Sequence, residues 1–170
     1  MFLKSAIQQF RDYKGLADKT FAQLDEADFH YRPNEVSNSL AIIITHMHGN
    51  MLSRWTNFLT EDGEKEWRKR DNEFEEQQLT KQQLLTLWEE GWNVLFDALQ
   101  QLKVEDLNST IHIRTKPLSV IDGILRQLTH HASHVGQIIF AGKIIAGNNW
   151  RSLSIGKNES KLFNEQMKNS

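Results

Sequence analysis

Apolar residues recur at intervals of three and four along four stretches of the chain, the period of amphipathic helices. The first stretch runs from Phe2 to Leu24 and places Leu3, Ile7, Phe10, Ala17, Phe21 and Leu24 on one stripe. The second, Ser39 to Leu59, does the same with Leu40, Ile44, Met47, Met51, Trp55 and Phe58, and Asp62-Gly63 beyond it is a turn signal. The third opens at Thr80, where Gln83 is spaced to complete a capping box, and continues through Leu84, Trp88, Leu95 and Leu102 to about Lys103. Gly91 weakens its middle. Pro117 and Ser119 announce the fourth, with Asp122 placed for a second capping box, and Gly147 and Asn148 end it after Ala146.

Between these stretches the pattern breaks. Residues 25–38, with Pro33 near the centre, form a connection. The stretch GEKEWRKRDNEFEE is so highly charged that composition alone reads it as a solvated linker. Ile111 to Arg114 alternates apolar and polar residues, which predicts a short extended piece. The tail from Asn149 is polar, although Trp150, Leu153, Ile155 and Phe163 could fold back. The expectation is an all-α fold: an antiparallel up-and-down four-helix bundle with irregular connections and a short C-terminal tail, one domain over residues 1–170.

Composition narrows the function classes. With 39% hydrophobic and 25% charged residues the chain has a globular balance and can fill one core. The net charge of -2 is spread without a basic stripe, so no nucleic-acid partner is expected. The absence of cysteine excludes disulfides, a thiolate nucleophile and thiolate metal ligands. No apolar run is long enough to span a bilayer, and the first residues have no signal-like apolar centre, so a cytoplasmic protein without a membrane partner is expected.

Histidine placement carries the chemistry. In QLTHHASHVGQ, His130 and His134 stand four apart, one above the other on a helix face. At roughly 100° per residue, Ile121, Leu125, Leu128, Ala132, Val135 and Ile139 share one sector, Asp122, Arg126, Thr129 and Ser133 another, and His130, His134 and Gln137 lie on the border. His131 leans toward the apolar sector. On the second helix Ser39, His46, Asn50, Ser53 and Asn57 draw a polar seam, and His48 points elsewhere. His131 occupies the position where the helical metalloprotease motif requires Glu, so that reading is rejected. Three imidazoles would leave a fourth metal position open, as in catalytic sites, and they suit zinc, nickel, copper or iron(II). An i,i+4 pair also arises by chance, and spacing alone does not select His46 over His48 or His112.

A single His on the second helix followed much later by H-x-x-x-H-x-G-Q resembles the DinB-like superfamily. The likeness is carried by HMHGNMLSRWTNFLTEDGEKEWRKRDNEFE, from His46, and by HHASHVGQIIFAGKIIAGNNWRSLSIGKNES, from His130. It implies an up-and-down four-helix bundle, often dimeric, with a metal held by His46, His130 and His134. Members include bacillithiol transferases and mycothiol-dependent maleylpyruvate isomerase, which use the metal to activate a low-molecular-weight thiol. The expectation is therefore a homodimer with one divalent ion, zinc or nickel, acting as a thiol S-transferase on a small electrophile. A metal-dependent hydrolase and a non-catalytic metal-binding stress or scaffold protein are the alternatives. His48 and His131 leave other ligation open. Asn50 and Gln137 are expected as hydrogen-bonding neighbours of the ligands or substrate, and Arg68 or Arg70 as a guanidinium reaching over the pocket to an anionic group. No catalytic base stands out.

Overall fold

Each periodic stretch folds as a helix in the computed structural model, which describes residues 1–168. These helices are α1 (Phe2–Phe21), α2 (Leu40–Trp55), α3 (Lys81–Gln101) and α4 (Val120–Ala146), and a short α5 (Ser160–Lys168) follows in the tail. Between α3 and α4, β1 (Thr110–Ile113) and β2 (Lys116–Ser119) form a two-stranded antiparallel sheet. The chain is thus mostly helical. Among the described residues, no helix is long and apolar enough to cross a membrane.

Local chemistry sets the helix starts. Ser39 Oγ accepts from the Ile42 N–H, and Thr80 with Gln83 forms the complete reciprocal box. Ser119 Oγ accepts from the Asp122 N–H, but the Asp122 carboxylate takes the Ser119 hydroxyl rather than its backbone N–H. α2 stops at Trp55, short of Leu59, because Asn57 adopts a positive φ of 50°. Phe58 beyond the end is still buried.

α2 packs mainly on α3, α1 mainly on α4, and α2 also meets α4. Phe10, Phe21, Met47, Met51, Trp88 and Trp92 fill the space between them. Gly91, which weakens α3 as an isolated helix, has a packing reason: a Cβ there would lie 2.5 Å from Met51 Cε and 3.3 Å from the His48 Cα.

α4 buries a different face from the one its apolar residues mark out. Val120, Ile124, Gln127, His131, Val135 and Ile138 are buried, whereas Leu125 is 44% exposed. Two polar residues occupy the middle of the buried stripe, so a count of apolar positions rotates the face by about one residue. His131 is fully buried, edge-on to Phe10 (5.4 Å between centroids) and near Trp92 (5.0 Å), and its Nδ1–H donates to the Gln127 carbonyl at 2.7 Å.

The connection from α2 to α3 is anchored rather than solvated. Arg114 and Thr115 form a two-residue hairpin turn with φ of 54° and 64°, and the Asp62 carboxylate accepts from both backbone N–H groups at 2.8 and 2.6 Å. The Gly63 N–H donates to the His112 carbonyl at 2.8 Å. The buried guanidinium of Arg54 donates to the Gly63 carbonyl and to Glu64. In the tail, Trp150 packs on Gly142, while Ile155 and Phe163 remain exposed.

Burial lowers the His131 pKa to about 4. The unfolded value is near 6.5, so the stability from its neutral ring is present in full above pH 6.5 and is lost as pH falls toward 4. Urea unfolding of the metal-free protein should show a loss of roughly 2 kcal/mol between pH 7 and pH 5 from this residue, and His131→Leu should remove that share of the pH dependence while leaving the share carried by His130 and His134.

Candidate metal centre

His46 projects from α2, and His130 and His134 project from α4 one turn apart. Their three Nε2 atoms converge. His130 Nε2 lies 3.3 Å from His46 Nε2 and 3.2 Å from His134 Nε2. Among the described residues this trio forms a group whose ligand atoms all fall within 4.8 Å of one another. Nitrogens bound tetrahedrally at about 2.0–2.1 Å stand roughly 3.3 Å apart, so the observed spacing matches the edge of a zinc-sized coordination shell.

The tautomers fit the same purpose. The Glu73 carboxylate can only accept, so the His46 Nδ1–H donates to Glu73 Oε2, at 2.9 Å. The His134 Nδ1–H donates to Gln137 Oε1, also at 2.9 Å. Both rings therefore turn an unprotonated Nε2 toward the centre. His130 differs, since its buried Nδ1 has no hydrogen-bond partner among the described residues. Burial, followed by the neighbouring His134, His131 and His46, lowers its pKa to about 2. Burial also lowers His134, against the Gln137 bond. Ligation needs neutral imidazole, and the lowered pKa values of His130 and His134 favour that form.

Glu73 is the functional residue that the sequence did not reveal. It sits in the charged stretch, on the 3-10 turn Arg70–Phe74, with only 8% of its side chain exposed. Burial alone would raise its pKa; bonds from Arg68 and His46 overcome that and hold it below the usual carboxylate value. Arg68 grips it twice, Nε to Oε1 at 2.7 Å and Nη2 to Oε2 at 2.8 Å. Gly49 makes room, because a Cβ there would collide with the Glu73 carboxylate. The nearest sequence signal was Gly49 itself, three residues after His46 on the same helix face. Carboxylate–histidine pairs of this kind fix a ligand's orientation and raise its basicity.

The remaining candidates are placed as follows. Arg68 is committed to Glu73. Arg70 lies further out, its guanidinium 4.8 Å from the Phe74 ring centroid, and Phe74 in turn lies 4.7 Å from the His46 ring. Asn50 is buried one turn after His46, and its Oδ1 has no partner among the described residues. His48 pairs with Glu90 on α3 at 3.1 Å, and His112 is exposed on β1. Neither belongs to the trio.

A family model described as "Protein of unknown function (DUF1572)" matches residues 1–159. The chain belongs to the DUF1572 family. No curated protein matches the chain. The DUF1572 match spans the three histidines together with Gly49, Arg68 and Glu73, and it ends just before α5.

If the geometry of this DUF1572 chain is a metal site, His130→Ala should lose stoichiometric metal in elemental analysis, and His48→Ala should retain it. Glu73→Ala should weaken metal affinity about 10- to 100-fold in a chelator competition. Gly49→Ala should weaken it in the same direction by displacing the carboxylate.

Proposed function

We propose that the chain is a metal-dependent thiol S-transferase acting on a small electrophile, with zinc or nickel held by His46, His130 and His134. In this reading the scaffold is an antiparallel up-and-down four-helix bundle of the DinB-like kind, working as a cytoplasmic homodimer. The observation that carries it is the convergence of three Nε2 atoms with no fourth protein ligand among the described residues. His131 is packed against Phe10 and Trp92 and His48 pairs with Glu90, and neither belongs to the group whose ligand atoms converge. An open position favours exchange of ligands over a closed structural site.

A bound divalent ion supplies Lewis acidity, lowering the pKa of a thiol or water that reaches it. The chain's part is to hold the imidazoles neutral and aimed. Glu73 and Gln137 keep protons on the outer nitrogens of His46 and His134, and burial keeps His130 unprotonated. Phe74 covers the His46 ring. Arg70, about half exposed and stacked on Phe74, is better placed than Arg68 for an anionic substrate group. Support for the homodimer comes from the superfamily resemblance, and from the exposed apolar side chains of Leu125 on α4 and of Val104 on a turn that contacts α4.

The test is metal analysis followed by a screen of thiols against electrophiles. One metal per chain and metal-dependent thiol consumption, abolished in His130→Ala, are expected. A bound ion with no exchangeable position, as judged by X-ray absorption, would overturn the reading.

A further inference from the structure

A cleft of about 300 Å³ opens beside the histidines, between the connection that precedes α2 and the outer half of α4. Gln137 is at once part of its wall and the partner of the His134 ring. Ile43, another wall residue, precedes His46 by three positions on α2. The cleft therefore adjoins the histidines through Gln137.

Its lining is uncharged and mostly apolar. Tyr31, Val36, Phe140 and Ile144 belong to it together with the polar Ser37, Asn38 and Gln137. Val36 is 92% and Phe140 67% exposed, so large apolar groups stand in solvent on both sides of one depression. Such exposure next to a polar centre marks a recognition surface. A larger cleft on α3, about 830 Å³, has the opposite chemistry, with Glu26, Lys81, Glu89, Glu90 and Asp97 in its wall. None of the three histidines lines either cleft, but the smaller one includes Gln137, which is bonded to His134.

We propose that the smaller cleft receives the apolar arm of the compound that meets the metal. The substrate is then one carrying an aromatic or branched aliphatic group a few bonds from its reactive atom, not a small hydrophilic one. This inference rests on the metal-dependent thiol reading above. The volume supports it, since an aromatic ring needs about 150 Å³ and a packed helix needs a longer groove. The absence of lining charge leaves a carboxylate or ammonium on that arm without an ion-pair partner.

The test uses the cobalt(II)-loaded protein, titrated separately with 3-phenylpropane-1-thiol and 2-mercaptoethanol and followed through the cobalt–thiolate absorption. The phenyl-bearing thiol should bind at least tenfold more tightly, consistent with burial of an aromatic ring. Phe140→Asp and Val36→Asp, both at exposed positions, should each erase most of that ratio while leaving the 2-mercaptoethanol constant unchanged. Equal affinities in the unaltered protein, or a ratio that survives both substitutions, overturn the cleft assignment alone. So does a change from dimer to monomer in Phe140→Asp, which would show that a second copy of the chain covers the cleft. If neither thiol changes the cobalt spectrum, the thiol reading itself falls, and the cleft assignment with it.

Discussion

Glu73 is a charged group placed where water hardly reaches, and a buried carboxylate is tolerated only when its partners are fixed. Arg68 supplies two parallel hydrogen bonds and His46 a third. The arrangement holds in both directions: the Arg68 side chain is itself only 2% exposed and needs the carboxylate as much as the carboxylate needs it. Removing one partner of a buried pair typically costs about 3–5 kcal/mol, because a charge is left uncompensated. This cluster therefore presses the connection between α2 and α3 against α2 and brings Phe74 over the His46 ring. The missing side chain at Gly49 leaves the space on α2 that the carboxylate occupies.

The three histidines form a group that could hold a metal ion. Burial lowers the pKa values of His130 and His134, because it makes their protonated forms costly. Several polar atoms nearby lack partners among the described residues: Arg68 Nη1, Asn50 Oδ1, Gln127 Oε1 and His130 Nδ1. They include donors and acceptors in positions within a turn of the ligands or of Glu73. Buried groups of this kind are usually satisfied by ordered water or by a ligand. Asn50 thus has spare bonding capacity for a molecule entering the site, a role different from Gln137, whose oxygen is occupied by His134.

The helices were legible because their signals are local. Caps at Ser39, Thr80 and Ser119 and the three-four spacing of apolar residues act within one or two turns. The His130–His134 pair was legible for the same reason, while His46 needed the superfamily resemblance to separate it from His48 and His112. Two features escaped. The buried face of α4 was misplaced because Gln127 and His131 are polar residues that stand inside the core, and periodicity counts polar as outward. Glu73 escaped because its burial depends on Arg68, on the missing side chain at Gly49 and on a connection anchored by Asp62 and Arg54. Within a run of alternating charges nothing distinguishes the one carboxylate that turns inward.

The tie between Asp62 and the hairpin turn also bears on folding order. Asp62 and Arg114 are 52 positions apart, with all of α3 between them. Loop closure over that distance is an entropy cost that contacts within one helix do not carry, and contacts of this separation slow folding. The two halves of the histidine centre differ in the same way. His130 and His134 are brought together by one turn of a single helix, whereas His46 reaches His130 across 84 positions and Glu73 across 27.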